Sequence, residues 1–357
     1  MKRVGILTSG GDCPGLNATI RGVAKALYEL IDDVEIVGIS DGYHGLITND
    51  ARVMNRSEFS GILTTGGTIL GTCRTPYRLM KVIGEDNVDK VKAMKKTYRD
   101  LKLDCLLTLG GNGTHKTANM LSEEGLNIIG LPKTIDNDIW ATDVTFGFHT
   151  AVDTATEVID KIHTTASSHK RVMVIELMGN KVGWLTLYSG IAGGADIILI
   201  PEIPYDMKSV YGAIEKRAER KNSFSIIAVA EGALSADEAK LKKKERAEYR
   251  AKLGVTTMTS TIANDIIKNT GCDTRVVIPG HIQRGGSPSA YDRVLATRFG
   301  VHAAYLVDKD IYGVSVAMRD GTVTANPLCE VAGKTKFIPQ DDQIVQIARR
   351  MGVCMGD

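Results

Sequence analysis

Charge of one sign is what this sequence lacks most plainly. Over 357 residues, 44 lysines and arginines face 42 aspartates and glutamates, a formal net charge of +2. No summed field is left to hold nucleic acid or an anionic membrane, so neither is an expected partner, and any anion the protein binds is bound locally. Long apolar runs are missing too. A membrane helix needs roughly 18 or more consecutive apolar residues, whereas runs such as Ile197 to Pro201 have strand length. The N-terminal MKRVGILTSGG carries no apolar block of the signal-peptide kind before its glycines. The six cysteines, Cys13, Cys73, Cys105, Cys272, Cys329 and Cys354, include no C-x-x-C pair, so reduced thiols and a cytoplasmic location are expected. Aromatic residues are only 5%. There is no linker rich in Pro or Ser, no low-complexity tract and no internal repeat.

What is present in excess is glycine, at 37 residues, about a tenth of the chain where roughly 7% is usual. The glycines follow no period, which excludes collagen, and 43% hydrophobic with 24% charged residues excludes disorder. At about 150 residues per domain, two globular domains with many tight turns are expected.

Short apolar runs alternate with helical patterns, the signature of parallel sheets covered by helices. Val4 to Leu7 reads as a buried strand, followed by a glycine turn and by Ile20, Val23, Ala24, Leu27 and Ile31 at helical spacing. Further strands are expected at Val34 to Ile39, Cys105 to Leu109, Ile128 to Leu131, Val172 to Leu177, Ile197 to Ile200, Ile226 to Ala230 and Val276 to Ile278. Ser235 to Lys252, SADEAKLKKKERAEYRAK, reads as one solvated helix with acidic residues early and basic ones late.

Several strands end in glycine or polar clusters, where ligands sit in open α/β sheets. Thr8 to Gly15 (TSGGDCPG) places backbone N–H groups at a helix start, as an anion cradle needs. It is neither a Walker A loop nor a G-x-G-x-x-G fingerprint, and a plain tight turn is the alternative. A second loop, Gly110-Gly111-Asn112-Gly113-Thr114, precedes a helix expected to begin near Lys116. A third, Gly66 to Arg74, brings a guanidinium. Pro132 to Asp138 (PKTIDND) sets Lys133, Thr134 and two carboxylates, Asp136 and Asp138, at a strand's carboxyl end, which suits proton abstraction beside a metal-bound phosphate. An Asx-rich turn satisfying its own backbone is the competing reading. Arg171, Arg275, His281 and Arg284, on loops with glycine nearby, fit a sugar phosphate, since a guanidinium offers two parallel donors. His44, His115 and His302 read as structural.

Together these segments resemble the phosphofructokinase family, nearly end to end: ILTSGGDCPGLNATIRG (Ile6 to Gly22), GLPKTIDNDI (Gly130 to Ile139), IAGGADIILIPE (Ile191 to Glu202), GHIQRGGSPSAYDR (Gly280 to Arg293) and VAGKTK (Val331 to Lys336). The resemblance implies two Rossmann-like three-layer α/β/α domains with mostly parallel sheets and an interwoven chain. Residues 1–147 with 283–310 would form the phosphoryl-donor domain, and 148–282 with 311–357 the fructose 6-phosphate domain. It further implies Mg²⁺, a symmetric oligomer, and transfer from ATP to the C1 hydroxyl of fructose 6-phosphate. Asp136 then matches the general base, with Thr134, Asp138 and Lys133 at the transfer site. Gly10, Gly11, Arg74, Thr75, Gly110, Gly111, Asn112, Gly113 and Thr114 match the donor site. Arg171, Met178, Gly179, Asn180, Glu231, Arg275, His281 and Arg284 match the sugar site, with Arg171 and Arg275 supplied by a neighbouring subunit.

The resemblance also sets the donor. Pyrophosphate-using members carry an acidic residue where this chain has Gly113, while Lys133 is shared with them. Glycine combined with lysine resembles the mixed-substrate group III subfamily and favours ATP, with pyrophosphate as the alternative. Two departures stand out. Asn112 replaces an aspartate that helps hold Mg²⁺, leaving Asp138 or Asp12 for the metal, and Asn180 replaces an arginine facing the transferred group. One lost charge of each sign cancels, so compensation by Lys133 or Lys181 is expected, against the rival of a low-activity regulatory paralogue. His163 and Lys25 replace arginines of the bacterial effector pocket, so that control is not expected.

Overall fold

The computed structural model describes residues 1–83, 88–219 and 224–357. Its strands are β1 (Lys2–Ser9), β2 (Val34–Ile39), β3 (Ala51–Val53), β4 (Cys105–Gly110), β5 (Ile128–Pro132), β6 (Val172–Leu177), β7 (Ile197–Leu199), β8 (Ser225–Ala230), β9 (Thr274–Val277), β10 (Val314–Arg319) and β11 (Thr322–Pro327). The chain divides into two compact units, Met1–Thr150 with Arg284–Lys336 and Ala151–Gln283 with Phe337–Asp357, and so passes between them three times.

The first unit holds a seven-stranded sheet in the order β11-β10-β5-β4-β1-β2-β3, parallel except for the pairings of β2 with β3 and β10 with β11. β4 and β5 are buried along their whole length, which is why they read as continuous apolar runs rather than alternating ones. β1 lies between β2 and β4, so the strand order reverses beside it and the loops after β1 and β4 diverge to opposite faces, opening a crevice at the carboxyl ends. The second unit holds a wholly parallel four-stranded sheet, β7-β8-β6-β9, packed on Val210, Ile214, Ile262 and Ile266 among others. No helix among the described residues is long and apolar enough to cross a membrane, and the six cysteines are free.

Four expectations change. Residues 311–336, expected with the second unit, lie in the first, because β10 pairs with β5 through Val314 and Ser315. The charged stretch is two helices, Ala236–Ala239 and Lys243–Lys252. Arg250 Nε donates to buried Glu238 at 2.7 Å, and in one unbroken helix these residues would stand about 18 Å apart. The helix after β4 begins at Asn112, four residues before Lys116. The edge strands β3 and β11, not expected from the sequence, carry no buried run that would have announced them; β10, also not expected, lies inside the sheet and is buried from Ser315 to Met318.

Candidate functional site

In the first unit, the loops after β1, β4 and β5 enclose a cavity of about 330 Å³. Gly10, Gly11 and Asp12 enter from β1; Gly111, Asn112, Gly113 and Thr114 come from β4; Lys133, Thr134, Asp136 and Asp138 come from β5. Gly111 N-caps the Asn112–Glu123 helix without a side-chain cap, so its first N–H groups and positive dipole end face the cavity. Gly110 is the last residue of β4 and stands behind Thr114.

The third glycine loop is tied to the first. Gly10 N donates to Cys73 O at 3.2 Å and Thr72 Oγ1 to Gly10 O at 2.7 Å, which brings Arg74 and Thr75 to the cavity. A Cβ on Gly11 would lie 2.1 Å from an Arg284 nitrogen and 2.9 Å from an Arg74 nitrogen. Only glycine lets two guanidinium groups close over this loop. Gly113 is different, since a Cβ there would meet nothing within 4 Å, and the space beside it is open.

The PKTIDND loop owes its shape to Asn137, which holds a left-handed φ of 52°, tolerated by Asn through local hydrogen bonding. Asn137 Oδ1 accepts from Thr145 N at 3.1 Å, and Thr145 Oγ1 donates to Thr134 O at 2.7 Å. With the turn locked at Asn137, both flanking carboxylates, Asp136 and Asp138, line the cavity, and Asp136 N donates to Thr134 Oγ1 at 3.0 Å. Asn137 thus ties the loop to Thr145 rather than closing an Asx turn on its own backbone, and the two aspartates line the cavity on either side of it.

Lys133 is buried, and its ammonium donates to the Gly11 carbonyl. Desolvation, aided by Arg284, pushes its pKa below the ordinary lysine range. His115 is held by Gly111 O at 3.0 Å and Ser315 Oγ at 2.9 Å; burial pushes its pKa down to about 4, so it is a neutral structural residue. Burial raises Cys13 to about 12, which leaves an inert thiol. Asn112 has a split environment: Nδ2 donates to Asp138 Oδ2 at 3.1 Å, while Oδ1 is buried with no partner. A buried orphan oxygen beside a carboxylate fits a hard cation such as Mg²⁺, which takes one or two protein oxygens and completes its shell with water and phosphate. No cluster of three or more His, Cys, Asp or Glu able to hold a metal occurs among the described residues, so such an ion depends on its phosphate ligand.

The second unit places its expected residues at two ends of one sheet. Met178, Gly179 and Asn180 follow β6, and Glu231 follows β8. These loops are joined, with Glu231 N donating to Leu177 O at 2.8 Å and Gly232 N to Gly179 O at 3.1 Å. The turn carrying His281 is fastened to them by Gln283, whose Oε1 accepts from Met178 N at 3.1 Å while its Nε2 donates to Gly280 O at 3.1 Å. Motif reading passed over Gln283, although an amide between His281 and Arg284 was the available signal. It also passed over Tyr43, whose buried hydroxyl donates to Thr114 O at 2.9 Å. Arg171 and Arg275 stand at the other end, both ion-paired with Asp273 at 2.6 Å. The six residues of β6 lie between Arg171 and Met178, about 20 Å of strand.

The class of protein follows from comparison. The sequence profile described as Phosphofructokinase matches residues 3–307, and the chain belongs to the phosphofructokinase family. An ATP-dependent 6-phosphofructokinase of Spirochaeta thermophila is 57% identical over 99% of this chain and 97% of that protein. A pyrophosphate–fructose 6-phosphate 1-phosphotransferase of Amycolatopsis mediterranei is 44% identical over 94% of this chain and 96% of that protein. Among solved structures, the phosphofructokinase of Saccharomyces cerevisiae superposes with a TM-score of 0.79 at 28% identity, over 92% of this chain and 45% of that one.

Proposed function

We propose that this chain is an ATP-dependent 6-phosphofructokinase acting in the cytoplasm, with the phosphoryl donor in the cavity of the first unit. The observation that carries the reading is the convergence there of the Asp136 carboxylate, the Arg74 and Arg284 guanidinium groups, Lys133 and an uncapped helix N-terminus. Phosphoryl transfer asks for positioning and charge neutralisation rather than covalent chemistry, and this set supplies both. Asp136 takes the proton of the sugar's C1 hydroxyl as that oxygen attacks the γ-phosphorus, and the bridging oxygen leaves with ADP. The cations and helix dipole meet the charge that develops on the phosphoryl oxygens. Mg²⁺, held by Asn112 and Asp138 when bound with the nucleotide, would neutralise the donor phosphates.

Open space at Gly113 supports a nucleotide over pyrophosphate, because no side chain occupies the room beyond the transferred groups. On the second unit, Met178, Gly179, Asn180, Glu231 and His281 serve the sugar end. Arg171 and Arg275, at the far end of their sheet, serve the sugar phosphate of a second copy, so the active form is an oligomer. A coupled assay of the purified protein with fructose 6-phosphate, comparing ATP with pyrophosphate, tests this. Turnover with ATP is expected; greater turnover with pyrophosphate replaces the donor, and none with either overturns the enzyme.

A further inference from the structure

The helix Lys243–Lys252 serves none of these roles, yet its sequence is ordered. Lys243, Arg246, Ala247, Arg250 and Ala251, at i, i+3, i+4, i+7 and i+8, form one face, and all five line a cavity of about 930 Å³ within the second unit. The acidic residues Glu245 and Glu248 lie off that face, and among the described residues no acidic side chain lines the cavity. The alanines keep the wall concave between the cations. The opposite wall is Lys181, Gly232 and Leu234 from the loops after β6 and β8, with exposed Phe337 beside them.

The four cations divide into two kinds. Arg250 is spent on the fold: it pairs with buried Glu238 and donates to Ala233 O at 3.0 Å and Thr256 O at 3.2 Å. Lys181, Lys243 and Arg246 make no ion pair among the described residues. Glu202, next to Pro201 in the chain, accepts from Gly183 N and Ile338 N at 3.1 Å. Three uncompensated cations around a concave, partly apolar cavity of ligand size describe a site for a small polyanion.

We propose that the second unit carries a separate pocket for a pyrophosphate-type anion, free or borne on an organic body, bound by Lys181, Lys243 and Arg246. Its wall includes Asn180, one of the residues given above to the sugar, so the two sites adjoin. A Cβ on Gly232 would lie 2.0 Å from Asn180 O, so the loops after β6 and β8 move as one, and occupancy reaches the KM for fructose 6-phosphate if that assignment holds.

Calorimetric titration of the full-length protein with inorganic pyrophosphate tests the pocket without relying on turnover. Two sites per chain are expected, one in the donor cavity and one here. The double variant Lys243→Glu/Arg246→Glu keeps the first and weakens the second by about tenfold or more. Lys244→Glu/Lys252→Glu, an equal charge change on the same exposed helix off the cavity face, keeps both. Arg74→Ala loses the donor site and keeps this one. Superimposable isotherms for wild type and Lys243→Glu/Arg246→Glu overturn the proposal, as does equal weakening in the control variant. Repeating the series with ADP separates the sources: a larger loss than with pyrophosphate assigns an organic body against Phe337, and an equal loss assigns the inorganic ion.

Discussion

The two units offer different answers to the task the proposed function sets them, holding phosphate in a protein with almost no net charge. The first gathers its charges from four loops into one cavity, where two guanidinium groups close over Gly11 and the Asn137 turn presents two carboxylates. The second leaves Arg171 and Arg275 at one end of its sheet and Met178, Glu231 and His281 at the other. A group that must lie within hydrogen-bond reach of its ligand cannot act across about 20 Å of strand. On the function proposed above, the first arrangement is complete in one chain and the second only when another copy supplies the missing end.

The sharpest cut into that comparison removes the proposed base. Asp136→Asn keeps the shape of the loop, since Asn137 and Thr145 hold it, and is expected to lower kcat by about 10³-fold with little change in KM. Steady-state kinetics with ATP and fructose 6-phosphate measure it; a loss below tenfold would remove Asp136 from the role of base.

Arg275→Ala is expected to cost about 10²-fold, chiefly in KM for the sugar phosphate, because a bidentate phosphate contact is lost. The division between the units is read from a mixture. Co-assembled Asp136→Asn and Arg275→Ala chains should recover activity, as one site then combines an intact Asp136 with an Arg275 from the other chain. If the mixture stays as inactive as its components, Arg275 acts within its own chain.

Gly113→Asp asks whether open space selects the donor. The added side chain meets no atom within 4 Å and stands in the first turn of a helix, where a carboxylate is favourable, so the fold should survive. ATP turnover should fall by about tenfold or more while pyrophosphate turnover holds or rises. Equal losses with both donors would mean that the position acts on metal or loop geometry instead.

What could be read beforehand was whatever is contiguous in sequence. The buried strands β1, β2, β4, β5, β6 and β8 announce themselves by apolar runs, and PKTIDND carries its own turn residue. Features made by distant partners could not be read. β10 joins β5 across some 180 residues of chain through two paired positions, and the break between Ala239 and Lys243 depends on an ion pair twelve residues apart. Arg74 and Arg284 both reach over Gly11 into the space a side chain there would take, a relation no spacing encodes. Gln283 lay inside a motif already singled out, but its role depends on an N–H donated by Met178 more than a hundred residues away.

Acid should separate the units by stability. The folded pKa of His115, about 4, lies below the ordinary value near 6.5, so the unfolded chain binds a proton first as pH falls. Stability is therefore intact above about pH 6.5 and declines toward pH 4, by about 2 kcal/mol at pH 5. Only the first unit contains this residue. Hydrogen exchange at pH 7 and pH 5 should show β4 and β5 losing protection relative to β6 and β8, and His115→Gln should reduce the difference.

The smallest effect is expected at the departure that first looks most damaging. Asn112→Asp restores the acidic residue usual in the family, and a simple count of metal ligands predicts a gain. The surroundings argue otherwise. Asn112 Nδ2 donates to Asp138 Oδ2 at 3.1 Å, so an aspartate would set two carboxylates face to face and one of them would hold its proton. Asn112 already offers an uncommitted oxygen through Oδ1, and its amide orients Asp138. Turnover at neutral pH and saturating Mg²⁺ should change by less than about threefold, with a rise in the Mg²⁺ concentration needed for half-maximal rate. A gain of tenfold or more would show instead that this chain runs with an impaired donor site, and the completeness claimed for the first unit would fail.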